Sequence, residues 1–240
     1  HTLASSYTLS APLVELLSCA PELLAQPEYA PLMCRVWEET VLLAPEDVLH
    51  AFGMSVYGAM APMVGHPNSP VIMEPIFAID MHVRALSTAS LSAMADIMRA
   101  THLDEAIFAS LCRESDMYHV LQRCAILVSR MALTMPPPMF HDMVRATASW
   151  PDLCRRLIST SATLSHARSR KLVALGLAHM LRHASAQDKG LLSAVPDMIG
   201  MWTEVVGEVV EDEAGSADRY EREVSPTRAL EIGEDEIPFL

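Results

Sequence analysis

The segment Ser165-His166-Ala167-Arg168-Ser169-Arg170-Lys171-Leu172-Val173-Ala174-Leu175-Gly176-Leu177-Ala178-His179-Met180-Leu181 constrains the fold more than any other in this chain. A short polar turn carries Arg168, Arg170 and Lys171, and an apolar helix with one glycine follows. Leu172, Leu175, Gly176 and His179 fall on one helical stripe, and Val173, Leu177, Met180 and Leu181 on the next. A helix apolar over that much of its girth needs neighbours on more than one side. It suits the inner helix of a stacked helical hairpin. Gly176 costs about 1 kcal/mol of helix propensity relative to Ala, a loss that close helix–helix contact offsets. Stacked hairpins are scaffolds that grip other macromolecules.

The rest of the chain agrees with an all-α reading. Of its 240 residues 51% are hydrophobic and only 5% aromatic, with 16 Met against 9 Gly, a bias toward helix formers. Alternating runs of Val, Ile, Thr and Tyr are absent. Proline and polar breaks recur along the chain, and Gly65-His66-Pro67-Asn68-Ser69-Pro70 is the plainest loop. Helices are expected over Pro31–Leu43, from the break at Ala44-Pro45-Glu46-Asp47 to Met63, and over Ile72–Leu86, Ser90–Ala100, Asp104–Arg113, Met117–Met135, Pro137–Thr147, Pro151–Leu164, Ala167–Arg182 and Gln187–Val210. Ala20-Pro21 and Gln26-Pro27 bracket a short element before them. Ser165 or Ser169 is the expected cap of the central helix, and Pro31, Pro45 and Pro137 suit first turns. Taken in pairs, these helices give hairpins of about 40 residues, the period of HEAT and armadillo repeats. The expected fold is an α-α superhelix of that type, with about six hairpins over residues 1–210.

Charge divides the chain. The net charge is -13, and from Glu204 onward there are twelve acidic and three basic residues. Residues 211–240 are expected to form an acidic, extended or poorly ordered tail. An acidic field disfavours nucleic acid and attracts basic proteins. Glu204, Glu208, Glu211, Asp212 and Glu213 are the candidates for contacting them. The five cysteines, Cys19, Cys34, Cys112, Cys124 and Cys154, form no CxxC and are odd in number, which fits buried free thiols in a reducing compartment. The best apolar run, Cys124–Met135, is about half of the ~20 residues a membrane span needs, so no membrane insertion is expected.

Motifs for chemistry are incomplete. His179 and His183 are spaced to share a metal, but Met180 stands where a metalloprotease needs Glu, and Arg182 repels a cation. Gly53-Met54-Ser55-Val56-Tyr57 lacks the last glycine of a nucleophile elbow. No metal, cofactor or catalytic residue is implied. Met54, Met60, Met63, Met73 and Met81 read as core packing, with a promiscuous groove as the alternative. Arg123 and Arg130 read as a solvated basic stripe, or as a contact for acidic neighbours.

The run Arg168–Leu177 resembles a stretch near the C-terminus of large nuclear transport receptors of the importin-β superfamily. Leu191-Leu192, Pro196-Asp197-Met198-Ile199, Met201-Trp202-Thr203-Glu204-Val205-Val206-Gly207-Glu208-Val209 and then Asp218-Arg219-Tyr220 extend the likeness, in an order most similar to the importin-eleven branch. Residues 1–164 resemble the superfamily as generic HEAT hairpins. The resemblance, together with a first residue His1, implies a C-terminal piece of a longer shuttling receptor of nucleus and cytoplasm, and no enzyme. It implies basic cargo and FG nucleoporins as partners, the latter in grooves between neighbouring helices. Ran-GTP would be bound by repeats outside this piece. The alternative of another class is a helical-repeat adaptor outside nuclear transport.

Overall fold

A computed structural model of the chain describes residues 9–66, 69, 71–113 and 117–207. Those residues form thirteen helices and no strand. They are α1 (Ala11–Ser18), α2 (Ala20–Leu24), α3 (Ala30–Leu43), α4 (Pro45–Gly65), α5 (Met73–Ala85), α6 (Thr88–Ala100), α7 (Leu103–Cys112), α8 (Tyr118–Thr134), α9 (Pro137–Thr147), α10 (Trp150–Ser161), α11 (Ala167–Arg182) and α12 (Lys189–Ser193). A further helix, α13, covers residues 195–207.

Packing sorts the helices into two parallel rows. α3 packs on α5, α5 on α8 and α8 on α11, while α2 packs on α4, α4 on α7, α7 on α10 and α10 on α12. The rows meet through α3 with α4, α7 with α8, and α10 with α11. This is a two-layered α-α solenoid. Successive members of the first row begin at Ala30, Met73, Tyr118 and Ala167, two steps within the HEAT and armadillo range of about 40–47 residues and a third just above it, all well beyond the TPR step of about 34.

Thirteen helices are one more than six pairs need, and strict alternation fails at two places. α6 and α9 are third helices, inserted between the two members of a rung, and they touch each other as well as α7. A tight turn makes room for α6: only Thr101 and His102 separate it from α7, and His102 takes a left-handed conformation at φ 57°. Histidine is among the residues that tolerate that region.

Other boundaries also differ from expectation. The helix expected over Gln187–Val210 is broken at Ala194. Pro196 lacks an N–H and sits in the first turn of α13, where a donor is not needed. α11 is preceded by His166, with no side-chain cap, so neither Ser165 nor Ser169 has the expected role. Arg170 instead donates to the carbonyl of Leu164 and closes the turn from α10.

One core runs through the whole stack. α8 is the most enclosed element, with ten buried residues against five in α11. α11 buries Val173, Ala174, Gly176, Leu177 and Met180, but Leu175 is 49% exposed, so the first stripe is covered only in part. α4, not Cys124–Met135, is the one helix among the described residues long and apolar enough to cross a membrane. It is held between α2, α3, α5, α6 and α7 as a core helix of the stack.

Candidate functional site

Three largely buried polar clusters tie the rungs together through hydrogen bonds among their own members. In the first, Asp80 on α5 accepts from Arg130 Nε on α8 at 2.6 Å and from Arg84 at 2.6 Å. In the second, His82 on α5 is fully buried. Its Nε2 lies 3.0 Å from the carbonyl of Pro45, which can only accept, so Nε2 carries the proton and Nδ1 accepts from the Tyr57 hydroxyl at 2.7 Å. Burial holds the His82 ring neutral down to about pH 4, with the Pro45 carbonyl and Glu46 opposing that shift. Trp37 packs edge-on against both rings, at 5.5 Å from His82 and 6.1 Å from Tyr57.

The third cluster centres on Asp188, which is fully buried just before α12. Its carboxylate accepts from Ser185 N and Oγ, both at 2.8 Å, and from Trp150 Nε1 at 2.9 Å. His141 Nδ1 at 3.2 Å and Arg145 Nε at 3.1 Å complete the shell. Burial alone would raise its pKa, but the donors from Ser185, His141 and Trp150 outweigh it and bring it down to about 2. Such closed clusters position helices. Trp37 Nε1, buried beside the second cluster, is a donor without a partner among the described residues.

The buried thiols are equally unsuited to chemistry. Burial pushes Cys34, Cys124 and Cys154 up to about 12, with Glu38 and Glu74 adding to the effect at Cys34. All five cysteines are free, and Cys19, against expectation, is exposed. Gly53 and Ser55 lie inside α4, where Ser55 Oγ donates to the carbonyl of Phe52, so no elbow forms. His179 and His183 stack with centroids 4.6 Å apart. No group of three candidate metal ligands forms among the described residues.

What the surface offers is grooves between neighbouring helices. One, about 910 Å³, lies across α5, α8 and the start of α9, with Arg84, Arg130 and Thr134 on its wall and His179 of α11 at one side. A second, about 570 Å³, separates α2 from α4 and is lined by Pro21, Ala25, Ala59, Pro62 and Met63. A third, about 300 Å³ and almost wholly apolar, runs between α11 and α13. Ala174, Leu175 and Ala178 form one wall, Trp202, Val205 and Val206 the other, and Lys171 stands at the end. The Trp202 indole is fixed by donating to the Ala174 carbonyl at 3.0 Å.

The structure places the expected contact residues as follows. Glu204 is exposed on α13. Glu208, Glu211, Asp212 and Glu213, and the tail 211–240, lie outside the described residues. Arg130 is no solvated stripe, since Asp80 holds it, and Arg123 covers the exposed Phe77 ring at 4.4 Å. The methionine set divides: Met60 is buried, Met63 and Met73 are partly buried, and Met54 is 54% exposed. The grooves themselves had no sequence signal beyond small residues near a stripe. Their walls come from segments that only the stacking brings together.

A family model described as importin-11-like, TPR repeats, matches residues 1–236. The chain therefore belongs to the importin-11-like repeat family of the importin-β superfamily, a family of transport receptors and not of enzymes. No curated protein and no solved structure matches it.

Proposed function

We propose that this chain acts as a cargo-facing arch of a nuclear import receptor, capturing basic protein segments while the receptor shuttles between cytoplasm and nucleus. The observation that carries the reading is a helical-repeat solenoid of importin-11-like type whose acidic residues concentrate from Glu204 onward, where α13 exposes the first of them. Clustered acids draw a basic partner over a Debye length of about 8 Å at physiological salt. Glu204, Glu208, Glu211, Asp212 and Glu213 form the electrostatic part of the surface.

Nucleoporin FG segments are the second partner, bound through apolar contact. The groove between α2 and α4 has the small and apolar walls that a Phe side chain needs. Ran-GTP belongs to repeats outside these residues. The test is fluorescence anisotropy with a Lys/Arg-rich peptide and, separately, an FG-repeat peptide. Binding of the basic peptide should weaken steeply from 50 to 300 mM salt, while FG binding should not. A chain that bound neither peptide would sink the reading and favour an adaptor outside transport.

A further inference from the structure

The groove between α11 and α13 is apolar, ready-formed and not covered by any other described residue. Leu175 and Val206, on opposite walls, are 49% and 61% exposed. The Trp202 indole shares a wall with Val206 and is held by its hydrogen bond to the Ala174 carbonyl. At one end Lys171 is exposed, with exposed Arg168 one turn before it on α11. A ligand for this groove is therefore a short apolar segment with acidic residues immediately beside it.

The chain carries such a segment. Residues Glu234-Asp235-Glu236-Ile237-Pro238-Phe239-Leu240 place three acids directly before four apolar residues. No other stretch after Gly207 joins apolar residues so densely to acids. Pro238 favours an extended backbone, which enters a groove at little entropic cost. The tether is sufficient in length: 26 residues separate Gly207 from Glu234, and a random coil of that many residues would span about 5–6 Å times the square root of its length, or ~30 Å. The groove begins at Val205 and Val206, where that linker starts. Tethering at this length gives a millimolar effective concentration, so a modest affinity keeps the groove filled.

We infer that residues 234–240 dock in the α11–α13 groove of their own chain, with Phe239 or Leu240 against Trp202 and the acids toward Lys171 and Arg168. The inference is independent of the transport reading. It gives the tail's last residues a role separate from the acids at 204–213.

Trp202 supplies the probe. The other two tryptophans, Trp37 and Trp150, are buried at 1% and 6% exposure, so a fluorine label on the indoles reports the groove through one resonance and the fold through two. The Trp202 resonance, assigned with Trp202→Phe, should differ between the full chain and a chain lacking residues 234–240. A peptide of residues 230–240 added to the shortened chain should restore the full-chain position, with a Kd on the order of 100 µM. Leu175→Asp should weaken that peptide tenfold or more, and Lys171→Glu three- to tenfold with loss of its salt dependence. Both positions are exposed, and unchanged Trp37 and Trp150 signals confirm the fold of each variant. Superimposable Trp202 resonances in the full and shortened chains would overturn the inference. So would a shift that appears only as protein concentration rises, which would assign the groove to a second copy's tail.

Discussion

Gly176 on α11 lies directly against Ser129 on α8. A Cβ added at Gly176 would fall 2.9 Å from Ser129 Cβ, 3.0 Å from its Cα and 3.1 Å from its carbonyl oxygen. Two of those three atoms are backbone, so the clash cannot be relieved by a rotamer change. The absence of a side chain at Gly176 sets the distance between the third and fourth members of the first row.

Two effects oppose each other in Gly176→Ala. Helix propensity favours Ala by about 1 kcal/mol, while overpacking costs about 1–3 kcal/mol. Rigid backbone at 3.0 Å makes the second term larger, and net destabilisation is expected in urea unfolding, greater still for Gly176→Leu. Gly200 is the control: nothing lies within 4 Å of its added Cβ. Gly200→Ala should stabilise by about 0.5–1 kcal/mol. If both substitutions stabilised, the α8–α11 contact would be looser than described. The Ser129 hydroxyl, buried at the same contact, has no hydrogen-bond partner, so Ser129→Ala should be neutral or stabilising.

His82 should make stability depend on pH well above the carboxylate range. Its folded pKa is about 4, below the ordinary value of about 6.5 for an unfolded histidine. Between those values the unfolded chain binds the extra proton, so stability is full above about pH 6.5 and falls as pH drops toward 4. From pH 7 to 5 the loss should be about 2 kcal/mol, and His82→Gln should remove that part of the slope. Asp188 acts in a lower window. Its pKa is depressed to about 2, so its contribution is present above about 3.9 and is lost as pH falls through 2. Parallel pH curves for the parent and His82→Gln chains would refute the assignment.

Asp80 joins α5 to α8 through Arg130 and pairs along its own helix with Arg84. Arg130 is 20% exposed and Arg84 47%. A double-mutant cycle on Asp80 and Arg130 should return a coupling of about 1–3 kcal/mol. The cycle with Arg84 should give under about 1 kcal/mol, since that partner is half in water. An Asp80–Arg130 coupling near zero would mean that Asp80 serves α5 alone.

The repeat was legible because it rests on local signals. Proline at helix starts, apolar stripes and the single glycine of α11 all act within one or two turns. What joins the repeats was not legible. Asp80 and Arg130 are 50 residues apart, Pro45 and His82 37, and His141 and Asp188 47. Each pair meets only once the helices have stacked: Asp80 and Arg130 within the first row, Pro45 and His82 between the rows, and His141 of the third helix α9 with Asp188 just before α12. The third helices α6 and α9 disguise that order, since in sequence they look like any other member of a pair. Arg130 shows the consequence: a polar residue on an apolar helix reads as solvent-facing until the neighbour that carries Asp80 is in place. The α11–α13 groove was hidden for the same reason, and because the break at Ala194 turns one expected helix into two.

Charge reversal of the acidic cluster tests the cargo surface residue by residue. Replacing Glu204, Glu208, Glu211, Asp212 and Glu213 by Lys should weaken binding of a Lys/Arg-rich peptide by tenfold or more, about 1.4 kcal/mol. Single exposed pairs are worth only about 0–1 kcal/mol, so Glu204→Lys alone should change little, and the effect must come from several acids together. It should appear mainly in the association rate and shrink with salt, because a collective field steers encounter more than it holds the complex. FG-peptide binding should be untouched, since it rests on apolar walls such as those between α2 and α4. Removing residues 211–240 then separates two roles for the tail. Weaker cargo binding means that its acids recruit the partner directly. Stronger binding means that they occupy a basic site on the solenoid as an internal mimic, with exposed Arg168 and Lys171 the nearest such site on α11. An association rate that ignored both the reversal and the ionic strength would leave the acids as a solubilising surface and remove the electrostatic part of the proposed function.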